Sequence, residues 1–120
     1  MNYQIEGLTL AVNRMDEMLS FYKAVFNLEF DEMEMHGFKL YQTKWGDLSL
    51  LFCPAQLAQN TATQNRHQFD IIVSDLDAVI DAAKANHGEL MHEPTETGGV
   101  KSVGVYYPDR NSMVFKQLQA

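Results

Sequence analysis

Apolar and polar residues alternate along this chain with two different periods, and the same succession occurs twice. Leu8, Leu10 and Val12 alternate with Gly7, Thr9 and Ala11, a period of two that predicts a strand with one apolar face. Met15, Met18, Leu19, Tyr22, Val25 and Phe26 then follow helical spacing. Val73 lies 61 positions after Val12 and closes a second strand, in which Phe69, Ile71 and Val73 alternate with Gln68, Asp70 and Ile72. Leu76, Val79, Ile80 and Ala83 repeat the helical spacing. Asn13 with Asp16, and Ser74 with Asp77, resemble capping boxes at the two helix starts. Asn27 and Gly88, types that tolerate a left-handed C-cap, stand at the two exits.

Three short strands follow each helix. In the first half they are expected near Leu28–Met35, Phe38–Lys44 and Asp47–Phe52, separated by His36-Gly37 and Gly46-Asp47. In the second they are Glu89–Glu93, Ser102–Tyr107 and Ser112–Leu118, separated by Gly98-Gly99 and Pro108-Asp109-Arg110-Asn111. The reading is an α+β chain of two tandem βαβββ modules, residues 1–56 and 68–120. A polar linker at 57–67 joins them within one domain, 1–120. Each helix covers one face of its sheet and leaves the other free to line a cavity.

At 120 residues the chain is long enough to bury a core. Nine basic against 16 acidic residues give a net charge of -7, which argues against nucleic acid and against an anionic membrane surface as partners. The single cysteine, Cys53, excludes an internal disulfide and suits a reducing compartment. The opening MNYQIEGLTL lacks a basic, then apolar, leader pattern, and no apolar run approaches a membrane span. A cytoplasmic location is the expectation.

Leu10-Ala11-Val12 followed by Phe21-Tyr22-Lys23-Ala24-Val25-Phe26-Asn27-Leu28 resembles the first strand and "FY…LG" helix end of the vicinal oxygen chelate superfamily. Ile72-Val73-Ser74-Asp75-Leu76-Asp77-Ala78 and the ending Tyr107-Pro108-Asp109-Arg110-Asn111, similar to that family's "DPDGN" turn, extend the resemblance over nearly the whole chain. The family includes glyoxalase I, extradiol dioxygenases, fosfomycin-resistance enzymes and bleomycin-resistance proteins. The resemblance implies curved mixed sheets around a cleft, and a homodimer whose cavities the partner chain helps to complete. It also implies four metal-ligand positions, one on the first and one on the last strand of each module. Carried onto this sequence, they fall on Gly7, Leu50, Gln68 and Val114. Glycine and the two aliphatics have no donor, and one neutral amide leaves a divalent ion uncompensated. No cofactor is therefore expected, and metal-dependent catalysis is disfavoured. His67 could serve only if the strand slipped by one residue, which would turn Phe69, Ile71 and Val73 off the helix.

His36, His67 and His87 are read as surface or capping histidines. By alternation, Thr9, Gln68 and Asp70 point into the cleft. Asp70 is read as holding a cationic ligand, acting as a base, or pairing with Lys116. Phe38, Trp45, Leu50 and Phe52 from the first half are expected to make the cleft apolar and aromatic. Leu40, Tyr106, Tyr107 and Val114 join them. The leading reading is metal-independent binding of a small cationic or aromatic molecule. A lyase or dioxygenase with an altered ligand set, a metal-free enzyme using Asp70, and a domain acting through its protein surface are the alternatives.

Overall fold

The computed structural model describes all residues except Met1, Tyr3, Thr63, 65–67 and Ala120, so His67 lies outside the described residues. The first module runs β1 (Gly7–Val12), α1 (Met15–Phe26), β2 (Asp31–Met35), β3 (Phe38–Trp45) and β4 (Leu48–Pro54). A one-turn helix, α2 (Ala55–Ala58), follows directly, at the start of the stretch read as linker. The second module runs β5 (Phe69–Ile72), α3 (Leu76–Ala85), β6 (Glu89–Leu90), β7 (Thr95–Thr97), β8 (Val100–Tyr106) and β9 (Ser112–Leu118).

Each module builds a mixed sheet in which the first strand lies parallel to the last. The orders are β1-β4-β3-β2 and β5-β9-β8-β6, with β7 also on β8. The α+β, twofold βαβββ reading therefore holds. Hairpin chemistry sets the antiparallel part. His36 and Gly37 both take positive φ between β2 and β3, as two-residue turns require, and Gly98 and Gly99 do the same between β7 and β8. Strand β2 begins later than the pattern suggested, because the chain first leaves α1 through Asn27 at φ 55. The strand expected at Glu89–Glu93 ends after two residues, and β7 resumes it beyond Pro94.

The helix ends differ from the capping-box reading. The N-cap residues are Arg14 and Asp75, one position past Asn13 and Ser74. Asp75 caps its own helix through Ala78 N, while the amide of Leu76 donates to Gln117 Oε1 at 2.6 Å. Helix α1 has no local side-chain cap. Asp109, from the other module, accepts from Asn13 N at 2.8 Å and Arg14 N at 2.9 Å. At the exit of α3 the left-handed residue is His87 (φ 70), not Gly88. Gly88 is needed for close approach, since a Cβ there would stand 2.7 Å from the Phe21 ring.

Both helices lie between the sheets. Leu10, Leu50 and Phe52 of the first sheet and Val103, Met113 and Phe115 of the second join Phe21, Tyr22, Leu76 and Ile80 in one buried cluster. Rings of α1 touch both sides: Tyr22 meets Phe52 at 4.9 Å, and Phe26 meets Phe115 at 6.0 Å. The helix-covered faces of the two sheets thus look toward each other. Their bare faces look outward, on opposite sides of the chain.

The Tyr22 hydroxyl is fully buried and has no hydrogen-bond partner among the described residues. Burial, then the nearby Tyr107 and Asp109, push its phenol well above the ordinary tyrosine value. The folded state therefore keeps a proton that the unfolded chain releases near pH 10, so stability falls as pH rises above that point. Tyr22→Phe is expected to raise stability at neutral pH by about 1 kcal/mol and to flatten the alkaline loss. Denaturant midpoints at about pH 7 and about pH 11 check both.

Candidate functional site

Alternation and register decide which side chains share each bare face. On β1, Gly7, Thr9 and Ala11 stand opposite Ser49, Leu51 and Cys53 of β4. Asp70 of β5 stands opposite Val114, and Ile72 opposite Lys116. Gln68 comes level with Ser112, and its amide donates to Ser112 Oγ at 2.6 Å. Gly104 of β8 faces Val114, Ser102 faces Lys116 and Tyr106 faces Ser112.

The second sheet's bare face accordingly gathers five of the residues expected from sequence: Gln68, Asp70, Tyr106, Val114 and Lys116. Lys116 Nζ lies 3.6 Å from Asp70 Oδ2, so the carboxylate has its own cation. Ile72 at 68% and Leu118 at 59% exposure leave apolar surface beside the pair. Tyr106 is half-buried, with the Arg110 guanidinium 4.9 Å above its ring. Arg110 holds φ 74, a left-handed value that favours glycine, and its charge is fastened to Glu89 at 2.8 Å.

Thr9 and Phe38 lie on the outward face of the first sheet, with Leu51 and the buried Leu40 and Cys53, on the other side of the molecule. The expected single cleft is therefore not enclosed within one chain. Four residues assigned to it belong to the core instead. Leu50 and Phe52 are fully buried against the helices. Trp45 packs on Tyr22 at 5.6 Å, Phe26 at 5.3 Å and Phe69 at 5.0 Å. Tyr107 likewise meets the rings of Phe21 and Tyr22. The reason is parity: residues 41, 43 and 45 of β3 and 48, 50 and 52 of β4 all point to the helix side.

The same parity corrects one metal position. Across from Gly7 stands Ser49, and across from Thr9, where Val114 sits relative to Asp70, stands Leu51. Leu50 points the opposite way. Gly7, Ser49, Leu51, Gln68 and Val114 do not form a donor set for a divalent ion, since no carboxylate, imidazole or thiolate is among them. Among the described residues, no three His, Cys, Asp or Glu side chains gather into a metal-holding group. Cys53 is free and buried.

A separate depression of about 370 Å³ opens between Asn13, Arg14, residues 60–62 and the turn at Pro108–Arg110. Its guanidiniums are engaged: Arg14 donates to Pro108 O and approaches Glu17, and Arg110 holds Glu89.

Sequence reasoning missed Met91, Ser102 and Gly104 on the second bare face. A glycine in the middle of a strand was the available signal, because it marks a close approach. A Cβ at Gly104 would stand 2.6 Å from Met91 Sδ.

Among the described residues, no helix is long and apolar enough to cross a membrane. Comparison with solved structures finds the same fold repeatedly. The hypothetical protein SA1046 of S. aureus is 17% identical with a TM-score of 0.76, covering 100% of this chain and 96% of that one. The fosfomycin resistance protein FosX of Listeria monocytogenes is 16% identical with a TM-score of 0.75, covering 98% and 94%. A lactoylglutathione lyase of Agrobacterium tumefaciens is 22% identical with a TM-score of 0.66, covering 98% and 95%. At these identities the likeness is one of fold. No curated protein matches the sequence. A family model matches residues 4–115, nearly the whole chain, and by that match the chain belongs to the Glyoxalase/Bleomycin resistance protein/Dioxygenase superfamily.

Proposed function

We propose that this protein binds a small aromatic or cationic molecule without a metal. Its seat is the bare face of the second sheet, closed over by a second copy in a homodimer. The observation that carries this reading is the face itself. Exposed Ile72 and Leu118 surround the Asp70–Lys116 pair, with Ser102 and Tyr106 beside it. Apolar surface with a few convergent polar groups is the character of a ligand seat. Because Lys116 compensates Asp70, shape and aromatic contact supply most of the affinity, and the ion pair orients a polar group on the ligand. A second copy offers the natural wall, since the second sheet's face is left open, as are Thr9 and part of Leu51 on the outward face of the first sheet. An acidic chain with a lone thiol suits the cytoplasm. Among the fold relatives are a lactoylglutathione lyase and a fosfomycin resistance protein, which supports a small molecule as the ligand class.

The test begins with incubation in Ni, Co, Mn, Fe and Zn, followed by desalting and elemental analysis. The expected result is no retained ion. Near one ion per chain would overturn the metal-free reading and favour a lyase or dioxygenase with an altered ligand set. The metal-free protein then goes into a thermal-shift screen of aromatic cations and neutral aromatics. A concentration-dependent rise in Tm is expected, and no rise with any compound would overturn the binding reading.

A further inference from the structure

Between β6 and β7 the chain leaves the sheet at residues 91–94, and strand β8 loses its partner there. Leu90 pairs with Val105 and Thr95 with Ser102, so Val103 and Gly104 have no strand residue opposite them on that side. Side chain and backbone of the gap fill the place. Met91 N donates to Gly104 O at 2.8 Å. Gly104 N donates to His92 Nε2 at 3.2 Å, while His92 Nδ1 lies 2.7 Å from Glu93 O. A carbonyl can only accept and an amide N–H can only donate. The ring is therefore the neutral tautomer with its hydrogen on Nδ1. An imidazolium carries hydrogens on both nitrogens and has nothing to offer the Gly104 amide.

Met91 is held in place by this arrangement. Its sulfur lies 2.6 Å from where a Cβ of Gly104 would stand, at the middle of the second sheet's bare face, and Met91 is 41% exposed. Across β8 from Gly104 is Val114, whose neighbour along the face is Lys116. The thioether thus sits on the floor of the proposed seat, where it narrows the space and presents a polarizable contact for an aromatic ring.

We propose that Met91 is an adjustable part of the floor of this seat, fastened by the His92–Gly104 hydrogen bond and released when His92 is protonated. Its consequence for ligands rests on the seat proposed above, whereas the latch stands on its own geometry. Of the charged groups on the surrounding elements, three are paired, while the exposed Glu93 and Glu96 carboxylates stand in none of the ion pairs among the described residues. On β6, Glu89 holds Arg110. On β8, Lys101 faces Glu96 of β7 in register and pairs with Asp77 of α3. On β9, Lys116 pairs with Asp70 of β5. Glu93 lends His92 its backbone carbonyl. Protonation of His92 removes the acceptor of the Gly104 amide.

The test uses unliganded protein carrying 15N-histidine and methyl-13C methionine, taken from about pH 7.5 to about pH 5. At the upper end, the ring nitrogen shifts of His92 are expected to report the Nδ1–H tautomer. As His92 titrates, the Met91 methyl, assigned through Met91→Leu, should shift and sharpen in step. The Gly104 amide should lose about tenfold in exchange protection. His92→Gln keeps an acceptor that does not titrate, so the Met91 response should vanish. Gly104→Ala should lift Met91 at every pH. An Nε2–H tautomer, a Met91 methyl indifferent to His92 titration, or a pH response surviving in His92→Gln would each overturn the proposal. These readings need no ligand, so failure of the seat and failure of the latch are told apart.

Discussion

Phe52→Ala is expected to cost about 3–5 kcal/mol of folding stability, the largest effect of any single truncation proposed for this chain. The ring is fully buried and lies between Tyr22 and Phe30, each at a centroid distance of 4.9 Å. Tyr22 in turn meets Phe21, Phe26, Trp45 and Tyr107, so the cavity would open where the aromatic side chains of both modules converge. Surroundings pinned by so many ring contacts collapse poorly, which places the cost toward the upper end. Phe52→Leu keeps most of the volume and should lose no more than about 1.5 kcal/mol. Denaturant unfolding checks this through a lower midpoint at unchanged slope. A Phe52 that lined a ligand seat would behave otherwise, leaving stability within about 0.5 kcal/mol and altering only ligand affinity.

Asp109→Ala should destabilise by about 3 kcal/mol. Each oxygen of this buried carboxylate accepts from one backbone amide, at Asn13 and at Arg14, where α1 has no cap of its own. Alanine would leave both donors unpaired at the positive end of the helix and cut a tie between modules that spans 96 residues of sequence. Asp109→Asn keeps one acceptor and turns the other position into a donor facing an amide, so an intermediate loss is expected. Unfolding midpoints give the size, and exchange of the Asn13 and Arg14 amides gives the place. A loss under about 0.5 kcal/mol in the alanine variant would show that another group caps α1.

These two residues also show where reading from sequence succeeded and stopped. Asp109 was visible as part of a turn motif, but its partner amides are in the other module, and no local pattern reports a tertiary cap. The same holds for Gln117 at the start of α3. Local signals pointed to Asn13 and Ser74 as caps because short polar residues there satisfy first-turn amides most cheaply when nothing else is near. Phe52 was visible as one of a set of aromatic residues at strand spacing. Alternation orders such residues into two sets without naming the set that meets the helix, and a shift of one residue along β4 separates Leu50 from Ser49 and Leu51 on the opposite face. On β1 and β5 the helix-facing set was plain, since Leu8, Leu10 and Val12 oppose small or polar neighbours, as Phe69, Ile71 and Val73 oppose Gln68 and Asp70.

The sequence by itself determined the twofold βαβββ order, both long helices, the hairpin turns and the bare-face position of Thr9, Gln68, Asp70 and Val114. Period, turn chemistry and glycine placement are local properties, and local energetics enforce them. Only the tertiary structure decided that the helices are sandwiched between the sheets, so that the bare faces look outward on opposite sides. That arrangement follows from the burial of one aromatic cluster shared by both modules. It also decided that Lys116 pairs with Asp70, and that Met91 lies against Gly104, whose amide donates to His92. Such contacts join residues whose separation along the chain carries no periodic signature, and they appear only when the chain closes on itself.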